Sequence, residues 1–213
     1  MKIHFGSFSS RQDHVNGARP RKRSDDVPLG GQARQPTLWT VGHSTRPIDA
    51  FIDLLRAHEI RLLVDVRTIP RSRHNPQFNT DTLALSLRDA GLQYRHLPEL
   101  GGLRKPKKDS INDGWRNASF RGYADYMQTE EFCAAIDALR MFSSQEQTTV
   151  MCAEAVPWRC HRSLIADVLV SRDWEVRHIM SPENAAPHIL TSFAHVDKGT
   201  LTYPKPNDSP SLF

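Results

Sequence analysis

The sequence contains little cysteine and no long hydrophobic run. It has three cysteines in 213 residues, and so small and odd a number argues against a disulfide framework and for a reducing compartment. No apolar stretch approaches the roughly 18 residues of a membrane-spanning helix. The N-terminal residues lack the apolar core of a signal peptide. We therefore expect a cytoplasmic protein with no membrane partner.

Net charge is also absent from most of the chain. The formal net charge is +4, and residues 1–36 account for all of it, with seven Lys or Arg against three Asp or Glu. Since the remaining residues are neutral overall, the basic balance is poor evidence for nucleic-acid binding by the folded part. Residues 1–36 show no periodicity and contain much Gly, Ser, Pro and Arg. We predict that they form a disordered basic tail.

Apolar runs of strand length alternate with segments of helical periodicity from residue 37 onward. This alternation is typical of an α/β fold with three layers, in which a mainly parallel sheet carries helices on both faces. We predict a single domain over residues 37–182 and a mostly irregular C-terminal tail over 183–213, without an internal repeat. The predicted strands are 37–41, 60–66, 92–97, 148–152 and 174–180, and the predicted helices are 48–58, 81–90, 123–128, 129–142 and 160–172.

The loops that follow the predicted strands carry most of the side chains suited to catalysis or binding. They are residues 42–45, 66–78, 98–121 and 152–160. In a parallel sheet such loops emerge at the carboxyl edge, where ligands bind in α/β proteins. The loop at 98–121 is also longer than is usual for a connection without a function. We therefore expect these four loops to form one site.

The loop with the most reactive groups joins a strand that ends at Cys152 to a helix that begins at Cys160. A helix N-terminus and neighbouring cationic groups favour a thiolate, and two arginines and a histidine adjoin Cys160. Cys160 is therefore the better placed candidate for a nucleophilic or redox thiol. Cys152 fits that role and the role of a small buried core residue equally well, whereas Cys133 is predicted to belong to the core.

Other side chains of these loops indicate acid–base catalysis and anion binding. Glu154 and His161 are candidate acid–base groups. Asp65 either pairs with Glu154 for that work, orients Arg67 or caps a neighbouring loop. Because arginine clamps phosphates and carboxylates, the predicted substrate is small and anionic, for example nucleotide-like. The predicted substrate-binding residues are Gly42, His43, Ser44, Arg67, Arg71, Arg73, His74, Arg104, Trp158, Arg159 and Arg162.

Two alternatives use the same loops. A non-catalytic nucleic-acid-binding protein would hold a backbone with the basic side chains and stack bases on aromatic ones, for which the candidates are Trp115, Phe120, Tyr123 and Trp158. A metal site would combine the two cysteines and His161 with His43, His74 or His96. The spacing C-x7-C-H matches no common zinc pattern, so we predict no metal site, and the sequence indicates no cofactor.

The arrangement of strand, cysteine, loop, arginine and helix resembles that of rhodanese-type sulfurtransferases and cysteine phosphatases. The run LLVDVR is also similar to the rhodanese strand that ends in Asp-Val-Arg. A sulfurtransferase or phosphatase-like thiol enzyme is therefore a further alternative. The loop departs from the phosphatase pattern, because one more residue separates Cys152 from Arg159 and because Pro157 removes one N–H group from any anion-binding nest.

Five motifs together resemble one bacterial family, the domain of unknown function 488. They are GHSTRP (42–47), LLVDVRTIPRSRHNPQFN (62–79), YRHLPELGGLRKP (94–106), WRNASFRGYADYM (115–127) and MCAEAVPWRCHRSLIAD (151–167). The resemblance implies a single small α/β domain and no established reaction. It implies that the following residues belong to the family's motifs: Gly42, His43, Ser44, Asp65, Arg67, Pro70, Cys152, Glu154, Cys160, His161 and Arg162.

The leading hypothesis is an enzyme, such as a cysteine-dependent transferase or hydrolase, that acts on an anionic nucleotide-like or nucleic-acid substrate at this edge. One further signal concerns DNA metabolism. The C-terminal residues Leu212 and Phe213 follow a polar tail and resemble the peptides by which DNA repair and replication proteins dock on the bacterial sliding clamp. A disordered end that is apolar by chance is the alternative.

Overall fold

The computed structural model describes residues 36–205. The predicted basic tail, apart from its last residue, and the predicted clamp contact through Leu212 and Phe213 lie outside these residues. Among the residues described, none of the helices has the length and apolar character needed to cross a membrane.

A six-stranded sheet with helices on both faces forms the described part of the chain, which confirms the predicted three-layer α/β fold. The sheet contains β1 (Thr37–Gly42), β2 (Leu62–Asp65), β3 (Gln93–His96), β4 (Thr148–Cys152), β5 (Glu175–Ser181) and β6 (Asn184–Pro187), and β7 (His195–Asp197) and β8 (Thr200–Thr202) form a separate hairpin. The helices are α1 (Ile48–Ala57), α2 (Thr80–Asp89), α3 (Ala118–Tyr126), α4 (Glu130–Gln145) and α5 (Arg162–Val170).

The strand order is β3-β2-β4-β1-β5-β6, and all neighbouring pairs are parallel except β5 with β6. Successive side chains of a strand point to opposite faces, and β2 illustrates this, since Leu63 packs with α1 and α2 while Val64 packs with α3, α4 and α5. Both faces of the sheet are therefore buried, as the continuous apolar run of this strand predicts.

The connections from the two central strands, β1 and β4, run in opposite directions across the sheet. The chain leaves β1 toward β2 on one side, and it leaves β4 toward β5 on the other, although β1 and β4 are neighbours. Such a reversal opens a crevice at the carboxyl ends of the two strands. Here the two loops also bind each other, because the N–H groups of His43 and Ser44 donate to the carbonyls of Cys152 and Ala153, both at 3.0 Å.

Gly42 is required at this crossing for steric reasons. A Cβ atom on this residue would overlap the carbonyl oxygens of Glu154 and Ala155 in the loop after β4. The absence of a side chain therefore lets the loop that carries the candidate thiol lie directly against the end of β1.

Helix α3 begins earlier than the sequence pattern predicts. The expected start was residue 123. The helix starts instead at Ala118, which lies within the predicted long loop over 98–121. Asn117 is its N-cap, and the side-chain oxygen of Asn117 accepts the N–H of Ser119 at 2.8 Å. The apolar spacing over 118–122 is poor, so the capping residue was the one sequence signal for this start, and it was not used in the prediction. The N-cap of α4 is Thr129, whose hydroxyl accepts the N–H of Phe132 at 3.3 Å.

Residues 183–205 contain more structure than the predicted irregular tail. β6 extends the sheet, and Tyr203, which follows β8, is completely buried. The strands are three or four residues long with mostly exposed or half-buried side chains, so the segment lacks the apolar periodicity by which strands are recognised. Its attachment includes polar contacts to α5, which leave no periodic signal in the sequence.

Candidate active site

A cavity of about 460 Å³ opens at the carboxyl edge of the sheet. Three of the four predicted loops supply its walls. The fourth, residues 42–45, does not line the cavity but forms backbone hydrogen bonds with the loop after β4. The lining residues are Arg67, Thr68 and Ile69 after β2, Gly102 and Leu103 after β3, Asn117, Ser119 and Phe120 at the start of α3, and Cys152, Ala153, Glu154, Arg159, Cys160 and His161 after β4.

Cys152 lies at the end of β4 in the wall of this cavity, with only 2% of its surface exposed. The Nη1 group of Arg162 donates a hydrogen bond to its sulfur at 2.8 Å. An interaction with the thiol of Cys160 and the charge of Arg162 outweigh the effect of burial and lower the pKa of Cys152 to about 7. Cys152 is therefore substantially ionised at neutral pH, as a nucleophilic cysteine must be.

Cys160 has the opposite character, which corrects the expectation that it is the better placed thiolate. Burial and the adjacent Cys152 raise the pKa of Cys160 well above its usual value. The helix α5 begins at Arg162 rather than at Cys160, so Cys160 does not occupy the helix terminus that the argument assumed. Of the two thiols, Cys152 is thus the one that ionises first as the pH rises.

His161 lines the cavity next to the two thiols. Its Nδ1 atom lies 3.7 Å from the sulfur of Cys160, and its ring packs on Tyr123 with a centroid distance of 5.0 Å. Burial lowers the pKa of His161 to about 4, so the imidazole is neutral at neutral pH. A neutral imidazole at this position is able to accept a hydrogen bond from the thiol of Cys160.

Arg162 serves the loop rather than a substrate, which corrects its prediction as an anion clamp. It is 1% exposed and does not line the cavity. Besides the sulfur of Cys152, its guanidinium donates to the carbonyls of Glu154 at 2.6 Å and Ala155 at 2.9 Å. The guanidinium therefore holds the loop in a curve around the thiolate and supplies the positive charge that stabilises it.

Asp65 and Arg67 form a buried, bidentate ion pair. Arg67 donates to the carboxylate of Asp65 from Nε at 2.8 Å and from Nη2 at 2.6 Å, and Tyr94 donates to the same carboxylate at 3.0 Å. Asp65 is completely buried and does not reach the cavity. Of its three predicted roles, the geometry matches orientation of Arg67 and does not match acid–base work with Glu154.

His43 continues this buried network away from the cavity. Its Nδ1–H donates to the carbonyl of Ser44 at 2.7 Å, and its Nε2 accepts from Nη1 of Arg67 at 3.2 Å. Burial, assisted by the charge of Arg67, lowers the pKa of His43 to about 4. Gly42, His43 and Ser44 therefore position the loops, and none of them lines the cavity.

Glu154 and Arg159 are the charged residues of the cavity that remain free. Both are exposed and both line it. Their side chains make no hydrogen bond or ion pair within residues 36–205, in contrast to Arg67. A substrate in the cavity would meet a carboxylate and a guanidinium that need no other contact to be broken.

The N-terminus of α3 forms one part of the cavity wall, and this part was not predicted from the sequence. Asn117, Ser119 and Phe120 line the cavity, with the N–H of Ser119 bound by Asn117. The end of a helix carries a partial positive charge that favours an anion. The Asn-Ala-Ser sequence is a capping signal, and it would have identified this wall had the helix been expected to start there.

Five predicted binding residues lie away from this cavity. Arg71, Arg73 and His74 are exposed on the loop after β2 but do not line it. Arg104 lies over the ring of Tyr126 at 3.6 Å from its centroid and donates to the carbonyl of Glu99. Trp158 is 67% exposed and lines a different cavity, on the other side of the short 3₁₀ turn Pro157–Arg159.

The aromatic residues considered for base stacking are mostly engaged. Tyr123 is completely buried, which excludes it from that role. Trp115 stacks on Phe120 with centroids 4.8 Å apart and also packs against Phe193 and Tyr203. Trp158 is the one candidate of the four that is largely exposed. Within residues 36–205, no group of three or more His, Cys, Asp or Glu side chains is arranged to hold a metal ion.

Comparison with known proteins gives one match. The family model described as domain of unknown function DUF488 matches residues 47–169, which is more than half of the chain. The comparison with curated proteins and the comparison with solved structures each find no match. The matched region contains Asp65, Arg67 and the whole loop from Cys152 to Arg162.

Proposed function

We propose that this chain, which belongs to the DUF488 family, is a cysteine-dependent enzyme that uses Cys152 as its nucleophile on a small anionic substrate. One observation carries the proposal, namely the hydrogen bond from the buried Arg162 to the sulfur of Cys152 at the wall of the cavity. A core cysteine needs no buried guanidinium beside it, and a buried guanidinium is costly unless it is paired.

Ionisation of the thiol supports nucleophilic catalysis over a structural role. With a pKa near 7, Cys152 has a thiolate fraction at pH 7 roughly tenfold larger than a free cysteine of pKa about 8.5. The sulfur faces a cavity whose size is in the range that holds small ligands. The thiolate therefore combines reactivity with access to a substrate.

The charge around the cavity supports an anionic substrate. Arg159 offers a guanidinium that has no partner among residues 36–205, and the start of α3 offers a positive helix end together with the hydroxyl of Ser119. Glu154 stands at the same rim without a partner and is the candidate for proton transfer to a leaving group. These groups would bind and orient a carboxylate or phosphate while Cys152 attacks the adjacent electrophilic atom.

A phosphatase-type mechanism receives less support from the same loop. Such a mechanism needs backbone N–H groups around the anion, with the arginine also binding it. Here Nη1 and Nη2 of Arg162 bind two loop carbonyls and the sulfur, so these two groups are already engaged inside the protein. Group transfer through a covalent Cys152 intermediate, without a phosphate cradle, matches these contacts better.

Alkylation of the intact protein at different pH values tests the proposal. We expect Cys152 to react with a midpoint near pH 7, because its pKa is lowered to about that value. We also expect the anionic iodoacetate to be favoured over the neutral iodoacetamide at Cys152 relative to Cys133, because Arg159 attracts the carboxylate. Peptide mass spectrometry separates the two sites.

Arg159→Ala should reduce the preference for iodoacetate at Cys152, whereas Arg71→Ala should not, since Arg71 is exposed but does not line the cavity. The assignment of Cys152 as the nucleophile would be contradicted by either of two results. One is a midpoint of alkylation at or above about pH 8.5, and the other is a reaction no faster than that of Cys133 at pH 7. Equal effects of the two arginine substitutions on the preference for iodoacetate would contradict the proposal that the substrate is anionic.

A further inference from the structure

We propose that Cys160 is the resolving thiol for Cys152, so that the cavity catalyses thiol–disulfide exchange with small disulfides that carry carboxylates. This inference rests on the proposed function, because it requires Cys152 to be the nucleophile. It goes further in assigning a reaction class, a second reacting residue and a substrate class.

The first argument is the position of the two thiols. Cys152 and Cys160 stand at the two ends of one loop and line the same cavity, and both are free cysteines. Arg162 holds the loop closed by binding Cys152 and the carbonyls of Glu154 and Ala155. The loop therefore brings together two sulfurs that are separated by seven residues in the sequence.

The second argument is the difference between the two thiols before reaction. Cys152 is the thiolate, and its negative charge is among the causes that raise the pKa of Cys160. When Cys152 forms a covalent bond it loses that charge, while Arg162 remains nearby and then favours ionisation of Cys160. Burial still raises the pKa of Cys160, but the second thiol ionises more readily after the first has reacted, which is the order that a resolving cysteine requires.

The chemical steps balance without a cofactor. The Cys152 thiolate attacks one sulfur of the disulfide substrate, the substrate S–S bond breaks, and one thiolate leaves. The departing thiolate then takes the proton of Cys160, whose sulfur lies 3.7 Å from Nδ1 of the neutral His161, and Cys160 attacks the sulfur of Cys152. The mixed disulfide breaks and the second thiolate leaves. The substrate gains two electrons, the Cys152–Cys160 pair loses two, and a thiol reductant restores the pair.

The substrate class follows from the groups that surround the sulfur. The free guanidinium of Arg159 and the start of α3 at Asn117 and Ser119 are suited to carboxylates. The cavity of about 460 Å³ admits one arm of a small disulfide. Both sulfurs are almost completely buried, so a disulfide on the surface of a large protein would not reach them.

Incubation of the full-length protein with oxidised glutathione, a disulfide that carries carboxylates, tests the inference. We expect the wild-type protein to form a Cys152–Cys160 disulfide with release of glutathione, read by non-reducing peptide mass spectrometry. Cys160→Ser should stop at a glutathionyl adduct on Cys152, and Cys133→Ser should behave as the wild type. The cationic disulfide cystamine should react about tenfold more slowly, and Arg159→Ala should remove most of that difference.

The outcomes separate this inference from the proposal on which it rests. A glutathionyl adduct on Cys152 that is as stable in the wild type as in Cys160→Ser would overturn the resolving role and leave Cys152 as the nucleophile. Cystamine that reacts as fast as oxidised glutathione would overturn the substrate class. If Cys152 reacts with neither disulfide faster than Cys133 does, both the resolving role and the nucleophile fail.

Discussion

Charged side chains at the carboxyl edge of the sheet fall into two groups, according to whether they bind other groups of the protein. Asp65, Arg67 and Arg162 are buried and bind other groups of the protein. Glu154 and Arg159 are exposed at the cavity, and neither has a side-chain partner among the residues described. At the scale of single residues, the first group therefore determines the shape of the site and the state of the thiol, and the second is available to a substrate.

Substitution of the two carboxylates should separate these roles. Asp65→Asn leaves the buried guanidinium of Arg67 without its ion pair, and we expect the free energy of unfolding to fall by on the order of 3 kcal/mol. Glu154→Gln changes an exposed side chain without partners, and we expect a change below about 0.5 kcal/mol. Urea denaturation followed by circular dichroism measures both.

The same pair of variants has a second readout in the alkylation of Cys152. Glu154→Gln removes a negative charge beside the thiol, and therefore should lower the midpoint of its pH profile slightly without unfolding the protein. Equal losses of stability in Asp65→Asn and Glu154→Gln would contradict the assignment of Asp65 as a positioning residue.

At the scale of elements, the C-terminal segment is attached to α5 through a single carboxylate. Asp167 accepts hydrogen bonds from His188 Nε2 at 2.7 Å, from the N–H and hydroxyl of Thr191 at 2.9 and 2.7 Å, and from the hydroxyl of Tyr203 at 2.8 Å. The same helix begins at Arg162. The segment after β5 therefore helps to fix the helix that holds the thiolate in place.

Tyr203→Phe tests this attachment. The substitution removes one donor to a buried carboxylate, and we expect a loss of about 1–3 kcal/mol in the free energy of unfolding. Because the contact joins two elements, hydrogen exchange of the amides in 188–203 and in α5 should increase. Mass-spectrometric hydrogen exchange at the peptide level measures the change.

Tyr94→Phe is the matched control, since Tyr94 also donates to a buried carboxylate, that of Asp65 at 3.0 Å. It should destabilise the protein without a selective increase of exchange in 188–203. If the two tyrosine variants produce the same exchange pattern, the C-terminal segment does not depend on α5 in the way described.

At the scale of the whole molecule, the sequence predicted the layers and the edge of the site better than the roles within it. Alternating apolar runs predicted the parallel sheet, and the sheet predicted that the loops after β2, β3 and β4 converge. Which of the two thiols has the lower pKa was predicted incorrectly, because this depends on where α5 begins and on the direction in which Arg162 points. The attachment of Tyr203 was missed, because a polar contact over 36 positions leaves no periodic signal.

Three buried histidines determine how the stability of the whole molecule depends on pH. Burial lowers the pKa of His43 and His161 to about 4 and that of His178 to about 3. In the unfolded chain these groups have a pKa of about 6.5. Above that pH both states carry neutral imidazoles, and below it the unfolded state binds more protons than the folded state. Stability is therefore lost as the pH falls from 6.5 toward 4.

The expected result is a decrease in the free energy of unfolding between pH 7 and pH 5 that is steeper than one group produces. Each such histidine contributes up to about 1.4 kcal/mol per pH unit below 6.5, and this window lies above the usual range in which carboxylates are protonated. Urea denaturation at closely spaced pH values measures the slope. His74→Gln, at an exposed histidine, is the control variant and should leave the slope unchanged. A stability that is constant from pH 7 to pH 5 would show that the three imidazoles become protonated without unfolding, and the buried network of His43 with Arg67 would then have to accommodate a second positive charge.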